Sequence, residues 1–310
     1  MATNIPYVDE VWNPVCGCTK CSPGCENCWA EKMAMRLAAI EYHKLKNHLT
    51  PHLVENRIKK YMRVVKKGWK GNVYCDEKAL NKPLHWRNPR KILTCSMADY
   101  LHPKVPDDFI YKMFDIAYRC PQHDFWFLTK RIERLAEKFT NPLPPLEKKP
   151  FPGVLGLWNA VPWPLPNVHL GVTICNQKEA DEKIPILLSI PAAHRWISVE
   201  PMLEPVDLKQ VDFWDEDAHW IADTLTGHAE CINSISPSGV VDDAAKLDQV
   251  IIGCESGPNR RPIARKHIKD LYEQCNDADV DVMVKQMAEN EDGTGKVIHD
   301  LAWIKRMLGD

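Results

Sequence analysis

Short runs of β-branched and aromatic residues recur along the chain at Val73–Cys75, Ile92–Cys95, Phe125–Thr129, Val168–Thr173, Arg195–Val199, Val250–Cys254 and Val280–Val284. Most are continuously apolar rather than alternating, the pattern of parallel strands covered on both faces. Amphipathic stretches such as Asp107–Arg119, Lys178–Ser189 and Ala264–Cys275 lie between several of them, so strand and helix alternate. With a short strand ahead of Trp12 the count reaches eight. The pattern predicts an α/β fold, a complete or nearly complete TIM-like (β/α) barrel, with an open doubly wound sheet as the alternative.

Three segments interrupt the rhythm of what reads as a single domain over residues 1–310. Residues 41–70 carry nine Lys or Arg against two Glu, in an apparently helical stretch that would present a basic face. Residues 141–167 hold eight prolines together with Trp158 and Trp163, which excludes a regular helix and predicts an ordered loop over one end of the barrel. Residues 206–248 are acidic and weakly patterned, an insertion without a clear period.

Composition narrows the class. At 310 residues, 45% hydrophobic and 26% charged, the chain can bury a sizeable core, and its formal net charge of -2 argues against binding nucleic acid by global charge. No basic and apolar leader and no membrane-length apolar run is legible, so the expected location is the cytoplasm, with no membrane partner. Twelve cysteines in such a chain do not read as disulfide staples. Seven are scattered and suit buried positions, whereas Cys16, Cys18, Cys21, Cys25 and Cys28 fall within thirteen residues.

In βα barrels chemistry gathers where strands end, because the loops there vary without disturbing the core. The polar residues at those places are Ser96, Asp99, Thr129–Arg131, Thr173, Asn176, Glu200, Glu255, Ser256, Lys285 and Gln286. The cysteine loop belongs with them, following the first short strand and preceding a helical run from Ala30. Cys21, Cys25 and Cys28 have C-x3-C-x2-C spacing, and Cys18, Cys25 and Cys28 have C-x6-C-x2-C spacing. Either set can wrap one corner of an iron–sulfur cube, leaving one iron open. Zinc is the competing occupant, since Cys18-x2-Cys21 and Cys25-x2-Cys28 are zinc-type pairs. Only three residues separate them, however, where zinc ribbons usually place a dozen or more.

Seven ordered blocks, WNPVCGCTKCSPGCENCWAEKMAMR, TCSMADYLHP, FWFLTKRIERL, LGVTICNQ, RWISVEPMLEPVDL, VIIGCESGPNRRPI and VMVKQM, span nearly the whole chain. Together they resemble a radical-SAM-like family of phage and prophage proteins known by phage gene numbers, within the radical S-adenosylmethionine superfamily. The resemblance implies a 4Fe-4S cluster whose open iron chelates S-adenosyl-L-methionine, and an electron that cleaves the sulfonium to a 5′-deoxyadenosyl radical. The family pattern shares the cysteine at position 18 and commonly has an aliphatic residue at position 21. It therefore implies Cys18, Cys25 and Cys28 as ligands, with Cys21 the alternative to Cys18 by spacing.

By the same analogy, Ser96, Asp99, Lys130, Glu200, Glu255 and Ser256 would meet S-adenosylmethionine, and Arg260, Arg261, Lys285 and Gln286 the substrate. The implied activity is rearrangement, modification or repair of a nucleobase such as a 5-substituted thymine, free or in phage DNA. It would be of isomerase or lyase rather than methyltransferase type, with a flavodoxin or ferredoxin as electron donor. The reading from another class is a zinc-binding, non-catalytic module that binds nucleic acid or protein.

Overall fold

The apolar runs form the expected strands at nearly the expected places. The structure, a computed structural model, describes residues 5–48, 60–139, 163–215, 218–233 and 239–309. It is mixed α/β and divides into two units, residues 1–131 with 144–168 and residues 132–143 with 169–310.

In the first unit β1 (Glu10–Trp12) pairs in parallel with β4 (Lys91–Thr94), and β4 with β5 (Asp124–Thr129), in the register Val11↔Leu93↔Trp126. β4 and β5 each begin on a charged residue, run through buried apolar side chains and end on a buried threonine, whereas β1 ends on the buried Trp12. Between β4 and β5 runs a helix, Asp107–Arg119, the stretch predicted from its amphipathic pattern. Its two N-terminal aspartates suit the positive end of the helix dipole, and Phe109, Ile110, Met113, Phe114 and Ala117 make its buried stripe. Phe114 stacks on Phe127 at 4.5 Å, and Tyr100 meets Phe127 edge-on at 5.2 Å. Such pairs each add about 0.5–1.5 kcal/mol beyond area burial. Trp163 packs edge-on against Phe114 at 5.7 Å as part of this cluster, while Trp158 lies outside the described residues.

One expected strand has a different role. Tyr74–Cys75 (β3) pairs antiparallel with β2 (Val15–Cys16) in a two-residue ladder and does not join the parallel series. The chain cannot extend it, because Asp76 at once caps the next short helix, accepting from Lys78 N and Ala79 N at 3.1 and 3.0 Å. Of the basic stretch, residues 49–59 lie outside the described residues. The remainder gives the end of a long helix (Trp29–His48) and a short one (Lys60–Val64), with Lys60 3.6 Å from Asp76.

In the second unit β6 (Val168–Thr173), β7 (His194–Met202), β12 (Gln249–Cys254) and β13 (Asp281–Ala288) pair in parallel in that order, and β14 (Val297–Ile298) closes antiparallel on β13. Helices Gln177–Ser189 and Arg265–Asp277 follow β6 and β12. The weakly patterned 206–248 segment forms a separate antiparallel sheet in the order β11 (Val240–Val241), β10 (His228–Cys231), β9 (Ala218–Asp223), β8 (Val211–Asp215).

That small sheet carries a pH-sensitive contact. His228 Nδ1 lies 2.7 Å from Asp242 Oδ1 and its Nε2 3.2 Å from Glu230 Oε1, so only the imidazolium donates to both. Hydrogen bonds to Asp242 and then Glu230 raise its pKa above 6.5. A raised histidine pKa contributes stability that is fully present below the unfolded value and lost as pH rises through the folded one. Amide exchange in β10 and β11, corrected for intrinsic pH dependence, is therefore expected to speed up as pH rises above 6.5 in the wild type and to show no such step in His228→Gln. A step of equal size in the variant would mean that His228 is not its source.

Candidate metal centre

The cysteine loop is set by the strand before it. Cys16 ends β2 with its side chain in a core cluster with Ala34, Val64, Val65 and Met97, and burial pushes its thiol up to about 12. The chain then turns at Gly17, whose φ of +95 and close approach to the Asn72 carbonyl leave no room for a Cβ. Gly17 N donates to Met97 O at 3.2 Å, tying the loop to the segment after β4. Cys18 emerges half-buried beyond this turn, and Cys21 is exposed. Ser22 caps a single turn of 3-10 helix over Pro23–Cys25, accepting from Gly24 N at 3.2 Å, which buries Cys25. Cys28 is half-buried immediately before the helix that begins at Trp29.

The thiols of this loop sense one another. A hydrogen bond from Cys21 lowers Cys25 to about 5, against the effect of burial and with help from the Lys130 charge. Cys21, as the donor and partly buried, is shifted upward. Cys18 is raised to about 11, first by burial and then by Asp99, with Arg131 pulling the other way. Among the described residues no three His, Cys, Asp or Glu side chains converge into a ready metal geometry. What fits a metal–sulfur group is the donor set, soft thiols on one short loop with two cations beside them.

Those cations are placed by Asp99, which is buried and accepts four hydrogen bonds. Thr129 Oγ1 and Leu101 N donate to its Oδ1 at 2.7 and 3.0 Å, and Lys130 N and Arg131 Nη1 donate to its Oδ2, both at 2.9 Å. Arg131 Nη1 also donates to Cys18 Sγ at 3.8 Å, and Nη2 to Thr19 O and Thr19 Oγ1 at 2.8 and 3.0 Å. His102 completes the group. Its Nδ1 accepts from Lys104 N, so the proton sits on Nε2, 3.1 Å from Thr19 Oγ1. Ser96 is bonded to Asn13 at 3.3 Å and stands at the same strand end.

The structure places Cys18, Cys21, Cys25, Asp99 and Lys130 near one another, with Asp99 accepting four hydrogen bonds from the chain itself. Thr19 and His102 were not legible as site residues. Their only sequence signal is position, next to Cys18 and three residues after Asp99.

The second unit holds the remaining candidates, described separately. Lys285 Nζ donates to Glu200 Oε1 at 2.6 Å, and Gln286 Nε2 donates to the same oxygen at 3.4 Å and to Cys254 O at 2.7 Å. Gly253, at a bulge in β12, makes room for them, since a Cβ there would lie 3.3 Å from Glu200 Cγ and 3.4 Å from Gln286 Cγ. Glu255 is buried and clasped by Arg261 through its backbone N at 2.7 Å, Nε at 3.1 Å and Nη2 at 2.5 Å. Arg260 donates to Gly293 O and Gly295 O at 2.6 and 2.7 Å. Both arginines are therefore committed to the fold, whereas Ser256 is half-buried on the turn that follows β12.

The chain is thus a mixed α/β protein whose main strands run mostly parallel. The chain belongs to the family described as "Protein of unknown function (DUF5131)", whose model matches residues 2–302. No curated protein and no solved structure matches the chain. Among the described residues no helix is long and apolar enough to cross a membrane.

Proposed function

We propose that the chain is a radical S-adenosylmethionine enzyme of the TIM-like (β/α) barrel class, with Cys18, Cys25 and Cys28 holding a 4Fe-4S cluster. The observation that carries the reading is the thiol loop beyond β1 and β2, with Lys130 and Arg131 beside it. When bound, the cluster would supply the electron that cleaves S-adenosyl-L-methionine to methionine and a 5′-deoxyadenosyl radical. The chain's own residues do the rest. Lys130 and Arg131 balance the negative charge of three thiolates, as cations near an iron–sulfur group do. The buried Asp99 keeps Arg131 oriented, and Ser96 offers a hydroxyl at the same strand end.

Assigning Glu200, Glu255 and Ser256 to S-adenosylmethionine, and Arg260, Arg261, Lys285 and Gln286 to substrate, is part of the same proposal. All four substrate candidates are bonded within the chain, Lys285 and Gln286 to Glu200, Arg261 to Glu255 and Arg260 to Gly293 and Gly295. A nucleobase, free or in phage DNA, is the proposed substrate, rearranged or repaired at an unreactive C–H bond, with a flavodoxin or ferredoxin as reductant.

Anaerobic purification and reconstitution test the reading. A brown protein with about four irons per chain is expected. A colourless protein with one tightly held zinc would replace it with the zinc-binding module.

A further inference from the structure

The hydrogen bonds around Arg131 reach further than charge balance. Its guanidinium reaches back 112 positions to Thr19, with one nitrogen on Asp99 and Cys18 Sγ and the other on the carbonyl and hydroxyl of Thr19. Side-chain exposure is 13% for Arg131 and 8% for Asp99, so the pair is shielded from water and its geometry is fixed. Three further groups hold Asp99, Leu101 N and Thr129 Oγ1 on its Oδ1 and Lys130 N on the Oδ2 that Arg131 also grips, and His102, 2% exposed, supports Thr19. Cys18 otherwise sits in a loop whose own restraint there is its thiol's bond to Thr19 O at 3.3 Å, the carbonyl Arg131 also grips.

We propose that Arg131 is a positioning residue for the metal-binding loop: braced by Asp99, it fixes the Cys18–Thr19 segment so that the Cys18 thiol is presented for coordination. The inference rests on the reading of Cys18, Cys25 and Cys28 as the metal-binding set, and it assigns the Asp99–Arg131–Thr19 group a function that local sequence does not show. A planar fork is required. Lysine keeps the charge but cannot span Asp99 and Thr19 together.

The test uses the full-length chain, stripped of metal and titrated anaerobically with cobalt(II), whose thiolate charge-transfer band reports coordination by the loop. Arg131→Gln is expected to weaken cobalt binding about 10–100-fold, the usual loss when a supporting hydrogen bond behind a ligand is removed. Arg131→Lys should recover only part of that affinity. In reconstituted protein the cluster's reduction potential should fall in Arg131→Gln and return toward wild type in Arg131→Lys, because the potential follows the nearby charge. Cobalt affinities of both variants within about twofold of wild type would overturn the proposal. Should the glutamine variant fail to fold, the lysine variant decides by the same titration. A wild type that binds cobalt yet forms no iron–sulfur cluster would end the radical-enzyme reading, while the cobalt arm would still judge Arg131.

Discussion

Alanine at Cys25 or Cys28 is expected to take iron from about four per chain to near zero after reconstitution, since loss of one of three thiolates leaves the cube without a stable corner. Cys25 has the firmest setting in the loop, with its backbone N bonded to Ser22 O at 2.9 Å and its thiol buried beside Cys21. Cys16→Ala should leave iron near the wild-type level, because that side chain faces the cluster of Ala34, Val64, Val65 and Met97. Cys18→Ala should lose the cluster and Cys21→Val keep it, in line with the hydrogen bond from Arg131 to Cys18. Equal losses at Cys16, Cys25 and Cys28 would contradict the assignment, and a swap between Cys18 and Cys21 would move the third ligand.

The largest stability effect is expected at Lys183. In the helix Gln177–Ser189 its ammonium lies 2.6 Å from Glu179 Oε1, with side-chain exposures of 7% and 8%, while Glu179 Oε2 accepts from Cys175 N at 2.9 Å. The helix N-cap, Asn176, accepts from Glu179 N on its Oδ1 at 2.9 Å. Lys183→Met strands a buried carboxylate and should cost about 3–5 kcal/mol in denaturant unfolding. Combining it with Glu179→Gln should recover much of the loss, because the amide oxygen still accepts from Cys175 N and no charge is left unpaired. A single variant within about 1 kcal/mol of wild type would mean that the pair is solvated.

The legible parts of the fold are those coded locally. Val168–Thr173 reads as a buried strand because every side chain but His169 is apolar or small, and Asp107–Arg119 reads as a helix from its acidic start and apolar stripe. Tyr74–Cys75 has the same local look as the true parallel strands, yet its partner is Val15–Cys16, and no local period reveals pairing. The antiparallel sheet within 206–248 is not legible because its strands are short and mix Asp, His and Trp, as in Asp212, Trp214 and His219. The cysteine loop is visible from spacing alone. Its support is not, because Arg131, Asp99 and Thr19 meet only through tertiary contacts, and Asp99 reads as a ligand-facing acid where the structure shows an anchor.

The most direct measurement is of S-adenosylmethionine on the reconstituted, reduced protein. A radical S-adenosylmethionine enzyme should answer in two ways. Adding S-adenosylmethionine changes the EPR signal of the reduced cluster, and dithionite releases methionine and 5′-deoxyadenosine even without substrate, because each electron delivered cleaves one sulfonium and the resulting radical takes a hydrogen atom from buffer or protein C–H bonds. A protein that binds a cluster but gives neither the EPR change nor any 5′-deoxyadenosine would contradict the assignment.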